Sequence, residues 1–162
     1  MSLPYPESFL SHAQDNLGEM FDYAVNTKDY DINNFHKLFL KSSVSNYFEN
    51  GNIQFILGMT GIELFYHIVW ELKIKTEDFQ YGCHIATSSD EYRAGSLLAF
   101  FQYWSNKSFV EINNYFSMDK FVEFSRLWYD YDDDEIFHKI MNEIIKIEYK
   151  NCPKFLSLYK LD

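Results

Sequence analysis

The chain has 162 residues and a formal net charge of −10 at pH 7, which disfavours binding to nucleic acids and to anionic membrane surfaces. Its length is that of one domain, so we expect a single domain over residues 1–162. Aromatic residues make up 20% of the sequence beside only 6 glycines and 3 prolines, which favours a compact helical core filled by rings.

Apolar side chains in the first third of the chain recur at intervals of three and four residues, the pattern of helices with one buried face. The pattern predicts helices over 6–26, 31–39 and 43–49, and one helical turn over 53–57. Asp31 is a suitable cap for the second helix, and Gly51 suits the left-handed residue that closes the third.

Three later helices are marked by a hydroxyl residue followed three positions later by glutamate: Thr60 and Glu63, Ser88 and Glu91, Ser108 and Glu111. In such a capping box the hydroxyl accepts a hydrogen bond from the third helical N–H, and the glutamate accepts one from the cap's own N–H. We therefore predict helices over 60–72, 88–106 and 108–116. The first two are apolar around most of their circumference and should be central to the domain.

The rest of the chain predicts helices over 118–129 and from the acidic turn 130–134 to about residue 150, followed by an apolar tail at 155–161. Segment 73–87 is predicted as a polar connection, with a β-hairpin as the alternative. The predicted fold is all-α: a single-domain multi-helix bundle with two largely buried central helices.

Cellular location is predicted from the cysteines and the apolar segments. Cys83 and Cys152 lack the spacing of a metal knuckle or redox pair, and no secretory signal precedes them. The longest apolar stretch, around 97–104, is far shorter than the roughly 20 residues of a membrane span. We expect a cytoplasmic protein with free thiols and no membrane association.

The acidic turn resembles a calcium loop only in part. Asp130, Asp132 and Asp134 occupy alternate positions, but the glycine of such a loop is absent and Met141 stands at its twelfth position. We interpret Asp132, Asp133, Asp134 and Glu135 as stabilising the N-terminus of the helix that follows.

Glu63, His67 and Glu71 form a polar strip, because residues four apart lie one turn apart on a helix. They could reach one divalent ion, but a metal site on one helix needs a ligand from a second element, and the sequence indicates none. The neighbours Cys83 and His84 likewise lack a third group that would orient a catalytic pair. We predict no metal, no cofactor and no catalytic residue.

Arg93 is placed one turn into the helix predicted over 88–106, on the same face as Leu97 and Phe101. An unpaired buried guanidinium is costly, so three interpretations stay open. Its stem lies on apolar surface with its head in water, or it pairs with an acid such as Glu63, or it enters a binding pocket.

Residues 48–64 read FENGNIQFILGMTGIEL, and residues 91–112 read EYRAGSLLAFFQYWSNKSFVEI. With these blocks the middle two-thirds of the chain resembles an uncharacterised family of small acidic helical proteins from Firmicutes. The resemblance implies an interaction or immunity role beside toxin–antitoxin or ADP-ribosylating toxin genes, and it implies no site residues. Arg93 and Ser96-Leu97 depart from the family's pattern.

The leading hypothesis for function is a non-catalytic protein-interaction module of antitoxin or immunity type that binds a basic or toxin-like protein partner. Its candidate anchors are aromatic: Trp70, Tyr92, Tyr103, Trp104 and Trp128. The alternative is a small enzyme or ligand-binding protein with a polar pocket between the two central helices, lined by Glu63, His67, Arg93 and Gln102. A homo-oligomer formed through an exposed aromatic stripe is compatible with either.

Overall fold

The computed structural model describes residues 2–77, 79 and 87–151, and every regular element within those ranges is helical. This confirms the predicted all-α class. The α-helices are α1 (Leu10–Asp22), α2 (Ile32–Lys41), α3 (Ser43–Glu49), α4 (Ile53–Ile56), α5 (Gly61–Glu71), α6 (Asp90–Ser105), α7 (Phe109–Tyr115), α8 (Met118–Leu127) and α9 (Asp133–Asn151). A 3₁₀ turn, Glu7–Phe9, leads into α1, and a π-helical turn, Tyr23–Thr27, follows it.

The chain divides into two compact units, Met1–Tyr129 and Asp130–Asp162. The prediction of one domain stays a prediction, because a compact unit need not fold alone. The hairpin alternative, Cys83, His84, Cys152 and the apolar tail lie largely or wholly outside the described residues. None of the helices in the described part of the chain is long and apolar enough to cross a membrane.

Helix α1 lies at the centre of the first unit. It packs along α6 on one side and against α5 on another, and α8 covers a further face of α6. Both α5 and α6 are largely buried, as predicted, but α1 rather than α5 is the main neighbour of α6. The contact with α6 is close because Gly95 has no side chain: a Cβ there would lie 2.4 Å from the Leu17 carbonyl oxygen.

The core of this unit is built from rings in edge-to-face and stacked contacts. Phe35 and Phe65 stack with centroids 5.4 Å apart, and Phe21 meets Phe35 edge-on at 5.6 Å. The buried Tyr23 and Tyr66 hydroxyls hydrogen-bond to each other at 2.9 Å. Aromatic side chains therefore fill the space that aliphatic residues fill in most helical proteins.

Two of the three predicted capping boxes are present, at Thr60–Glu63 and Ser108–Glu111. The third prediction is wrong by one residue, because Ser89 rather than Ser88 caps α6 and accepts from the Tyr92 N–H. The Ser89 hydroxyl also donates to the buried Asp22 carboxylate at 2.5 Å, a tertiary contact that selects the second serine.

In the second unit, Asp132 caps α9: its Oδ1 accepts from the Glu135 N–H at 2.8 Å. The Glu135 carboxylate accepts in return from the Asp132 N–H at 3.4 Å. This geometry agrees with the interpretation of the acidic turn as a helix N-terminus. Along α9, Ile136, Ile140 and Ile144 stand one turn apart on one face.

Candidate functional site

An open groove of about 600 Å³, here called the α5 groove, lies where α3, α4 and the outer face of α5 meet. Its lining residues are Ser43, Tyr47, Asn52, Gln54, Phe55, His67, Trp70 and Glu71. The lining thus combines four rings with a carboxylate, a hydroxyl and two amides.

The turn between α3 and α4 folds the wall of the groove back on itself. Gly51 closes α3 with φ of +76°, a conformation that costs little only for glycine, as the sequence predicted. Asn52 then caps α4 by accepting from the Gln54 N–H at 3.0 Å. As a result the rings of Tyr47 and Phe55 stack, with centroids 4.8 Å apart and planes 18° from parallel.

Helix α5 supplies the opposite wall. His67 meets the Phe55 ring edge-on, at 5.3 Å between centroids and 87° between planes. Trp70 leans on the buried Tyr66 ring at 5.4 Å, yet 60% of its surface stays exposed. The groove lining therefore contains rings in two nearly perpendicular orientations.

The carboxylate of Glu71 is held in place by the first residue of α3. The Ser43 N–H donates to both carboxylate oxygens, at 2.9 Å and 3.1 Å, and the Ser43 hydroxyl donates at 2.8 Å. These bonds satisfy a donor left free at the start of α3 and join α5 to α3. They also fix the negative charge at the groove.

Helix α1 supports the groove from behind. The Asn16 side chain donates to the carbonyl oxygens of Ile56 at 2.7 Å and Met59 at 3.0 Å, which ties down the end of α4. Glu19 accepts from the Gly61 N–H at 2.8 Å and so holds the start of α5. Because α1 is itself packed on α6, these bonds connect the groove to the core of the unit.

Of the four residues predicted to line a pocket, His67 lines the α5 groove. Glu63 lies one turn before it on α5, where its carboxylate accepts from the Thr60 N–H at 2.7 Å within the capping box. The polar strip on α5 thus continues past the groove, and its last member, Glu71, is part of the lining.

Arg93 and Gln102 have other partners. The Arg93 guanidinium lies over the Tyr129 ring, 4.3 Å from its centroid. This cation–π contact was not among the three interpretations of Arg93. The buried Gln102 side chain donates to the Lys107 carbonyl oxygen at 3.3 Å. The contacts of these two residues do not bring them to the α5 groove.

Several lining residues were not in the predicted set. Ser43 and Tyr47 were placed only within the helix predicted over 43–49, and Phe55 only within the helical turn predicted over 53–57. The signal that points to them is Gly51: a left-handed residue between two short helices turns the chain back, and it places residues on either side of the turn in contact.

Acidic side chains cluster on α1 near the start of α5. Burial raises the pKa of Glu19, and the nearby carboxylates of Glu63, Asp15 and Asp22 raise it further, whereas the Gly61 N–H opposes the shift. No group of three or more His, Cys, Asp or Glu side chains in the described ranges is arranged to hold a metal ion.

A second groove, of about 700 Å³, includes Lys28, Tyr30, Lys75 and Glu77 in its lining. The Lys28 Nζ lies 3.7 Å from Glu77 and 5.8 Å from the centroids of the Tyr23 and Tyr66 rings. The chain continues from this lining into residues 78 and 80–86, which lie outside the described part, so we assign this groove no role.

No protein-family model, curated protein or solved structure matches the chain.

Proposed function

We propose that this chain is a non-catalytic protein-interaction module that binds a basic protein segment at the α5 groove. The observation that carries the proposal is Trp70, which lines the groove and leaves 60% of its surface exposed. Tryptophan is the residue most enriched among the anchors of protein interfaces. Leaving it in water forgoes about 2 kcal/mol of burial free energy that a partner can recover.

Further exposed apolar side chains border the same region. Tyr47 is 43% exposed and lines the groove, and Ile53, 60% exposed, stands in the chain between the lining residues Asn52 and Gln54. Single exposed apolar residues are ordinary, but several beside one aromatic groove are typical of an interaction site.

The charge of the protein supports a basic partner. The net charge of −10 attracts cationic proteins over long range, and it raises the rate of encounter at low salt. Glu71 places a carboxylate at the groove itself, and Glu63 is exposed one turn before His67 on the same helix. This chemistry agrees with the toxin-like partner that the family resemblance implies.

The experiment replaces Trp70 with a photo-crosslinking phenylalanine analogue in the native host, and Leu127 on α8, 62% exposed, with the same analogue as control. We expect a basic protein to be captured at position 70 and not at 127. With the purified partner, Trp70→Ala should raise Kd by about 30-fold, whereas Leu127→Ala should change it less than about twofold.

Equal capture at both positions, or an unchanged Kd for Trp70→Ala, would overturn the proposal. A third outcome is that a second copy of the chain is captured at position 70 and that light scattering shows a dimer which Trp70→Ala abolishes. The groove would then bind a second copy of the chain and not a basic partner.

A further inference from the structure

The α5 groove combines four rings with a fixed carboxylate. Tyr47 and Phe55 are nearly parallel, His67 is nearly perpendicular to Phe55, and Trp70 completes the aromatic lining. Glu71 adds the only carboxylate, and neither lysine nor arginine is present in the described lining. This is a negatively charged aromatic surface with no cation of its own.

A cation is the ligand that such a lining favours. The face of an aromatic ring is electron-rich and attracts ammonium groups within about 6 Å of its centroid, and several rings together hold alkylammonium groups in aromatic cages. An anion would meet both the ring faces and Glu71 unfavourably. A purely apolar side chain would gain nothing from the carboxylate.

Glu71 can bind a cation without giving up its structural contacts. Its Oε2 accepts two hydrogen bonds from Ser43, but its Oε1 accepts one, at 2.9 Å, and therefore keeps a lone pair. Because Ser43 already fixes the carboxylate, little further side-chain freedom is lost when a ligand binds.

We infer that the α5 groove binds a lysine side chain: the exposed rings of Tyr47 and Trp70, with the half-buried His67, line the groove beside its stem, and Glu71 faces its ammonium group. The buried Phe55 ring holds Tyr47 and His67 in place by ring contacts. The inference rests on the proposed function, since it names the side chain by which the basic partner is recognised. Lysine suits the groove because its long apolar stem can pack on the rings while its compact charge faces the Glu71 carboxylate.

The test uses the whole chain labelled with 5-fluorotryptophan, in which Trp70→Phe identifies the Trp70 ¹⁹F resonance. Two uncharged Gly/Ser peptides are titrated, one with a central lysine and one with N-acetyl-lysine, which has a similar stem but no charge. We expect the lysine peptide to shift the Trp70 resonance and to bind about tenfold more tightly than the acetylated one.

Two isosteric variants separate the local charge from the net charge. Glu71→Gln keeps one acceptor oxygen for Ser43 in place of two, and Glu123→Gln removes an equal charge from α8. We expect Glu71→Gln to weaken binding of the lysine peptide by about five- to tenfold, and Glu123→Gln by less than about 1.5-fold.

The lysine site would be overturned by equal binding of the two peptides or by no movement of the Trp70 resonance. It would also be overturned if Glu71→Gln and Glu123→Gln weakened binding of the lysine peptide equally. None of these results decides whether a protein partner is captured at position 70, because that is measured by crosslinking. If crosslinking and Trp70→Ala still identify a partner, the docking function stands and only the lysine recognition falls.

Discussion

Gly95 of α6 packs directly on the backbone of Leu17 of α1, so that a Cβ at position 95 would lie 2.4 Å from the Leu17 carbonyl oxygen and 2.8 Å from its carbon. Neither backbone can yield easily, because each belongs to a regular buried helix. This contact sets how closely α1 and α6 approach.

We therefore predict that Gly95→Ala destabilises the protein by about 2 kcal/mol, since the overlap outweighs the better helix propensity of alanine. Ser96→Ala, one residue along the same helix, is the control. It removes only a long hydrogen bond of 3.4 Å from the Gln14 side chain and should change the free energy of unfolding by less than about 1 kcal/mol. Urea denaturation followed by circular dichroism measures both. A stabilised Gly95→Ala would contradict the packing described for α1 and α6.

The start of α6 offers a matched pair of serines. Ser89→Ala should cost about 2 kcal/mol of stability, because it removes the helix cap and one of the donors to the buried Asp22 carboxylate. The exposed Ser88 precedes the cap, and Ser88→Ala should cost less than about 0.5 kcal/mol. Equal losses, measured by chemical denaturation at pH 7, would restore the box predicted at Ser88 and Glu91.

His36 should make the protein less stable in mild acid. Burial lowers its pKa to about 4, although a hydrogen bond with the Asn113 side chain opposes part of the shift. The unfolded chain, in which this histidine has an ordinary pKa near 6.5, therefore binds a proton that the folded chain excludes. Stability is complete above pH 6.5 and is lost as the pH falls toward 4, by about 2 kcal/mol between pH 7 and pH 5.

The control for His36 is a variant that cannot titrate. In His36→Leu the loss of stability from pH 7 to pH 5 should be smaller by about 2 kcal/mol, whatever its absolute stability. Glu19 and Glu49, whose pKa values burial raises, titrate in both proteins and cancel in the comparison. Identical pH dependence of the two proteins would show that His36 is protonated without penalty.

Glu71 links stability with binding. Glu71→Ala leaves the Ser43 N–H without its acceptor and should cost about 1 kcal/mol, the usual value of a helix cap. Glu71→Gln still offers an acceptor and should cost less than about half as much. Thermal denaturation at matched pH measures both. If glutamine were as damaging as alanine, charge rather than hydrogen bonding would stabilise the start of α3.

The sequence predicted helix starts well because capping is local chemistry. Thr60 and Ser108 were identified from their own neighbours, whereas Ser89 was missed because its selection depends on Asp22, 67 positions away. The sequence could not show that α1, rather than α5, packs along α6. The helices predicted over 60–72 and 88–106 are apolar around most of their circumference, and such faces do not specify a partner.

The lining of the α5 groove was predicted only in part, because the sequence does not show which helices pack together. His67 was predicted as a lining residue because a polar residue on a buried helix stands out. Arg93 and Gln102 were grouped with it on the assumption that the two central helices are neighbours, and the rings opposite His67 come instead from the turn at Gly51. Whether the four act together in a ligand pocket stays a prediction.

The pairing of α1 with α6 has a consequence for biosynthesis. Residues 10–22 are made early, but their main partner, 90–105, leaves the ribosome only after about 70 further residues have been added. At cellular translation rates of about 5–20 residues per second, the surface of the first helix that packs on α6 waits roughly 4–14 s for its partner. We expect nascent chains that end before residue 90 to bind chaperones, and chains that extend well past residue 105 to be released.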